Sequence, residues 1–234
     1  MSTYAPQALS SAVAAIWPDI QSHVATAALP NEQHLWWELS VCILSSQVPY
    51  DLAVAAADAV NAESPFLENK WDQDLLSLRF ADLLSKPVSV NGRYRVYRFP
   101  VVRAQQLAAT HTAVSKKACS LRALINGFHN AKEARAWFVG YAPGIGPKQA
   151  SMFLRNAGVS YDLAILDRHV LNYMSALGIY NGDAHSISGL TQYCKYEAVL
   201  RDHAQGFDCP VGLLDWAIWI VMRVANRKME LEAL

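Results

Sequence analysis

Apolar residues recur along most of this chain at spacings of three and four, the period of a helix with one face against a core. In EQHLWWELSVCILSSQ, residues 32–47, Leu35, Trp36, Leu39, Ile43 and Leu44 fall near one stripe. The same period predicts helices over about 50–62, 73–85, 98–110, 115–127, 131–140, 147–157, 168–177, 186–204 and 210–226. Proline and glycine punctuate several gaps, as in SPF, KPVSVNG, APGIG, GIYNGD and CPVG. KPVSVNGRYRVYRF has the alternation of a short ribbon, but a loop entering a helix is the expected form. The pattern predicts an all-α fold with no repeats. Its expected layout is two lobes with a cleft between them: lobe A from 1–50 plus 178–234, and lobe B from 51–177.

Composition narrows the class. The chain has 234 residues, 53% hydrophobic and 17% charged, enough for an ordinary packed core. No apolar run reaches the length of a membrane span. The start, MSTYAPQALSSAV, lacks the basic and apolar regions of a secretion signal, so a cytoplasmic protein is expected. Cys42, Cys119, Cys194 and Cys209 include no CxxC element, which argues against a zinc or iron–sulfur site.

Charge is segregated, although the net charge is zero. Eleven Lys or Arg residues and a single acid, Glu133, lie between Arg93 and Asn156. Such a segment suits a polyanion, although the same charges would also suit a solvated surface.

The stretch with the most chemistry is WFVGYAPGIGPKQASMFLRNAG followed by YDLAILDRHVLNYM. It predicts an amphipathic helix, a tight turn at Pro143-Gly144-Ile145-Gly146, and a second helix from Pro147, forming a helix-hairpin-helix over 131–158. Exposed amides of Gly144 and Gly146 beside a helix N-terminus form a site for phosphate, with Ile145 packed beneath the turn. Lys148 follows two residues later. A helix N-terminus disfavours a cation, and a nucleophilic lysine works as the free amine, although a phosphate-binding lysine fits the position too. Asp167, in LAILDRH, stands where an N-cap belongs; its carboxylate could also support positive charge on a sugar. His169 falls in the first turn of that helix, as a phosphate ligand or a surface residue.

At these residues the chain resembles the 8-oxoguanine DNA glycosylase/AP lyases of the helix-hairpin-helix superfamily, above all the compact second type of archaea and some bacteria. GIGPKQASMFLRNAG and LAILDRHVL carry the likeness, with ELSVCILSSQ, YRFPVVRA and LLDWAIW in the same order. The resemblance implies a bifunctional enzyme that acts as a monomer on double-stranded DNA with a damaged base, with no membrane partner. Lys148 would attack C1′ with Asp167 as the supporting carboxylate, and a Schiff base and strand nicking would follow. The target base must leave the duplex for this chemistry. Ser46 and Gln47 would fill the space it vacates, and Arg98 and Arg103 would meet phosphate or the lobe interface.

The resemblance further implies a base pocket from Met152, one turn after Lys148, with Asp215, Trp216 and Trp219; methionine sulfur suits an aromatic face. No cofactor is required, apart from a monovalent cation that the hairpin carbonyls could hold. In the compact enzymes a terminal carboxylate follows a lysine that matches Lys228, and here Met229 to Leu234 extend past it. Two alternatives keep the fold: the same chemistry on another modified base, and a catalytically silent module that only binds DNA.

Overall fold

The computed structural model describes residues 5–23, 30–62, 65–67, 72–182, 187 and 189–232, apart from the side chains of 23 and 226–232. The expectation tied to Lys228 therefore lies outside the described side chains. The helices are α1 (Pro6–His23), α2 (Glu32–Leu44), α3 (Tyr50–Asn61), α4 (Gln73–Ser85), α5 (Pro100–Lys117) and α6 (Leu121–Asn126). They continue with α7 (Ala131–Tyr141), α8 (Pro147–Asn156), α9 (Arg168–Ala176), α10 (Leu190–Gln205) and α11 (Val211–Glu232). A 3-10 turn covers Pro65–Leu67, and the strands β1 (Val88–Val90) and β2 (Arg93–Arg95) form a two-stranded ribbon. Among the described residues no helix is long and apolar enough to cross a membrane.

The chain divides into two compact units, Met1–Ala27 with Gly158–Leu234, and Ala28–Ala157. This corrects the expected boundaries at 50 and 177. Helix α2 belongs with the middle of the chain because it packs on α3 and α8, and α9 belongs with the ends because it packs on α11.

In the unit made of the two ends, α1 lies along α11. Sequence periodicity did not predict α1, which carries Pro18 in its interior. Leu9, Val13, Trp17 and Ile20, spaced by four, four and three, join one core with Leu171, Met174, Leu214 and Ile218. Burial at about 1.5–3 kcal/mol per large side chain exceeds the roughly 3 kcal/mol cost of an interior proline. Docking on α11 thus sustains the helix.

The middle unit is built around α2, in which every residue from Leu35 to Leu44 except Trp37 is buried. Asn31 caps it, accepting from the His34 N–H at 2.8 Å. The Glu32 carboxylate accepts the Leu121 and Arg122 N–H groups at 2.7 and 2.9 Å and so holds the start of α6. Helix α5 runs unbroken to Lys117, past the expected end at 110, because His111 and Val114 continue its buried face. It stops before Ser120, whose side chain caps α6 at the Ala123 N–H.

The loop expected in KPVSVNGRYRVYRF is instead the ribbon. Asn91 and Gly92 have φ of 51° and 75°, the left-handed pair that an Asn-Gly hairpin turn uses. Val90 is buried where β1 packs on α3, which stabilises a hairpin that would be marginal alone.

Candidate active site

Helices α7 and α8 form the expected helix-hairpin-helix and pack on each other. Phe138 and Phe153 meet edge to face at 5.1 Å between ring centres. Helix α7 ends at Tyr141 with Ala142 as its C-cap, since Pro143 has no N–H to continue it. The Ile145 N–H then closes the turn on the Ala142 carbonyl at 3.1 Å, and the Ile145 side chain is buried, as expected of an anchor. Gly144 has φ of 85°, where a side chain is strained. Gly146 is the N-cap of α8 and offers no side-chain oxygen, so the first-turn amides keep no capping partner of that kind. Amides so placed suit an anionic oxygen.

Lys148 is the second residue of α8 and half-buried; Met152, one turn on, is half-buried too. Helix α8 packs on α2, where the wholly buried Cys42 thiol is pushed well up by burial and next by the Glu38 carboxylate. Lys148 and Arg155 act on that thiol in the opposite sense. Burial likewise raises Glu38, whose carboxylate accepts from Asn156 Nδ2 at 3.2 Å.

Ser46 and Gln47 follow α2 directly. Gln47 is exposed with φ of 62°, a conformation that non-glycine residues rarely adopt. Two residues hold this turn. Tyr97 donates its hydroxyl to the Leu44 carbonyl at 2.7 Å, and burial pushes its phenol up to about 12. Arg103 donates through Nη2 to the Ser46 carbonyl at 3.3 Å and through Nη1 to Gln106 Oε1 at 2.6 Å. The Gln106 side chain in turn lies against the hairpin: a Cβ on Gly144 would sit 2.4 Å from its Oε1. Arg103 and Gln106 therefore join the hairpin to the Gln47 turn. Neither Tyr97 nor Gln106 was singled out from sequence. Arg98 is exposed, its guanidinium 5.0 Å from the Phe99 ring centre.

In the other unit, Asp167 is the N-cap of α9, its Oδ1 accepting the Val170 N–H at 2.9 Å. The preceding segment, Leu163 to Leu166, is buried and belongs to no helix or strand, so its backbone groups need partners inside the protein. Glu197 accepts the Ala164 N–H at 2.9 Å, and the Tyr193 hydroxyl accepts from Leu166 and donates to the Ala164 carbonyl. Asp215 accepts the Ile165 N–H. Gly212 donates to the Tyr161 carbonyl at 2.8 Å, in an approach so close that a Cβ there would meet the Leu163 carbonyl oxygen at 2.6 Å.

Asp215 was expected in the base pocket. It is 1% exposed and bonded to the segment that delivers Asp167, so its place is beneath that segment, a correction. Trp219 and Trp216 remain half-buried on α11. The Trp219 ring has His169 edge-on at 6.4 Å and the Arg223 guanidinium over its face at 4.8 Å. Among the described residues no group of three or more His, Cys, Asp or Glu is placed to hold a metal ion.

A family model described as 8-oxoguanine DNA glycosylase matches residues 19–209. A relative named 8-oxoguanine DNA glycosylase/AP lyase from Sulfurisphaera tokodaii is 29% identical over 189 residues, 80% of this chain and 82% of the relative. One of the same name from Thermotoga petrophila is 30% identical over 193 residues, 82% of each chain. Among solved structures, the 8-oxoguanine DNA glycosylase of Thermotoga maritima superposes with a TM-score of 0.65 at 24% identity, covering 92% of this chain and 93% of that one. The 8-oxoguanine glycosylase/lyase of Methanocaldococcus jannaschii, solved with 15mer DNA containing 8-oxoguanine, gives 0.59 at 21% identity, covering 91% and 88%. These likenesses agree with the all-α helix-hairpin-helix architecture, and the family match over most of its length identifies this chain as a member of the helix-hairpin-helix 8-oxoguanine DNA glycosylase family.

Proposed function

We infer that this protein is a base-excision repair enzyme, a bifunctional glycosylase and AP lyase that removes 8-oxoguanine from double-stranded DNA. The observation that carries this reading is the hairpin itself: a buried Ile145, two glycines, an uncapped helix start and Lys148 within its first turn. Membership of the family supplies the substrate class.

In this reading the first-turn amides of α8 take a DNA phosphate, which brings C1′ of the damaged nucleotide to Lys148. The free amine of Lys148 attacks C1′. The bond to the base breaks, and the base leaves with the electron pair and takes up a proton. Opening of the sugar ring then gives a Schiff base. Loss of a C2′ proton expels the 3′ phosphate and nicks the strand. Asp167, with one oxygen engaged as a cap, supports the positive charge that grows on the sugar.

Gln47 and Ser46 enter the duplex where the base has left, and Arg98 and His169 meet the backbone. Met152 and Trp219 take the faces of the expelled base. No cofactor takes part. A monovalent cation would fall to hairpin carbonyls between those of Ala142 and Gly146, which already accept the N–H groups of Ile145 and Ala150. The protein works as a monomer on the chromosome, in the cytoplasm.

The test is product analysis on duplexes bearing 8-oxoguanine, guanine or another modified base. Release and nicking are expected with 8-oxoguanine, and Asp167→Asn should lose release by about 100-fold or more with DNA affinity largely kept. Turnover of a different base alone, or of none, would overturn the assignment.

A further inference from the structure

The ribbon presents one of its two strands. Strand β1 is its foot: Val90 is buried against α3, and Asn91 Nδ2 donates to Asp51 Oδ2 at 3.0 Å. The second Asp51 oxygen accepts the Leu52 N–H at 2.9 Å, so that carboxylate is engaged at the start of α3. Strand β2 is exposed at all three positions, Arg93, Tyr94 and Arg95. The register pairs Val90 with Arg93, Ser89 with Tyr94 and Val88 with Arg95. Tyr94 therefore shares the outer face with the small Ser89, while the two arginines flank it from the opposite face. Tyr94 is 81% exposed and Val96, two residues on, 59%. No Asp or Glu occurs between Asp82 and Glu133, so nothing within this stretch of chain offsets the arginines.

The ribbon also runs directly into the groups that fix the Gln47 turn. Two residues after β2, Tyr97 bonds the Leu44 carbonyl, and Arg103 bonds the Ser46 carbonyl. An anchored strand thus holds a basic and aromatic strand out to solvent, continuous with the turn and with the hairpin through Gln106.

We propose that β2 is a second DNA-contacting element, in which the exposed Arg93 and Arg95, which share the face opposite Tyr94, neutralise two phosphates beside the lesion. The proposal rests on the DNA-repair reading above. The chemistry is that of guanidinium on phosphate, strong and indifferent to sequence, so the ribbon adds grip and register rather than base choice.

The experiment measures binding of an undamaged duplex by fluorescence anisotropy across a series of salt concentrations. Each neutralised phosphate contributes about 0.9 to the slope of log K against log salt. Arg93→Gln/Arg95→Gln should therefore flatten the slope by about 1.8, with affinity at low salt down at least tenfold. The melting temperature should stay unchanged, because both side chains are exposed. Lys116→Gln/Lys117→Gln, which removes the same charge from the exposed end of α5, serves as the control and should leave the slope as it was. An unchanged slope in the arginine variant, or an equal loss in both, would overturn the proposal. Wild-type excision, assayed separately, keeps its failure distinct from that of the repair reading.

Discussion

Replacing Gly144 with alanine tests the joint between the hairpin and the Gln47 turn, and the structure sets its cost. Gly144 has φ of 85°, and an alanine there costs roughly 1–2 kcal/mol in backbone strain. The new Cβ would lie 2.4 Å from Gln106 Oε1 and 2.6 Å from its Cδ, so the amide must move. A glutamine side chain is flexible, and alone it would yield cheaply. Here its Oε1 accepts from Arg103 at 2.6 Å in a half-buried setting, and displacing it forfeits a charge-assisted bond of about 1–2 kcal/mol after allowance for solvent. Gly144→Ala should thus destabilise by about 2–4 kcal/mol.

Gln106→Ala alone loses only the bond, about 1–2 kcal/mol. In the double variant the bond is lost once rather than twice, so the combined loss should fall short of the sum by about 1–2 kcal/mol. Equilibrium urea unfolding of the four proteins reads this coupling directly. Additivity within about 0.3 kcal/mol would refute the reasoning, because it would mean that Gln106 does not press on the hairpin glycine.

Gly212→Ala should cost more than Gly144→Ala in thermal stability, since its Cβ would meet backbone carbonyls at 2.6 and 2.8 Å rather than a movable side chain; an equal or smaller loss would contradict the close approach. His111 is buried with its Nε2 on the Phe66 carbonyl, and burial lowers its pKa below the ordinary 6.5. A lowered folded value means that the neutral form stabilises: this contribution is present above pH 6.5 and drains away as pH falls through the folded pKa. His111→Gln should therefore show a flatter fall in stability below pH 6.5 than the wild type, measured by urea unfolding at a series of pH values.

What was legible in the sequence was local. The Asp167 cap, the hairpin glycines, the Ile145 anchor and the stripe of α2 are each set by residues within a few positions of one another. What was hidden depends on partners far along the chain. Helix α1 is sustained by burial against α11 and so did not announce itself past Pro18. The ribbon carried its Asn-Gly signal openly, but its strands are three residues long and depend on α3 for support. Asp215 read as a base-pocket acid because nothing near it in sequence shows that Ile165, fifty residues earlier, needs an acceptor. Tyr97 and Gln106 escaped notice for the same reason, their partners being a carbonyl of α2 and a glycine of the hairpin.

In the proposed reaction Lys148 is the residue that bonds covalently to the sugar. Borohydride reduction during reaction with an 8-oxoguanine duplex measures this directly, by trapping the Schiff base as a stable protein–DNA adduct. The wild type should give one adduct, mapped to Lys148 by peptide mass, and Lys148→Gln should give none while still binding the duplex. An adduct of undiminished yield in Lys148→Gln, or one mapped to another amine, would contradict the account.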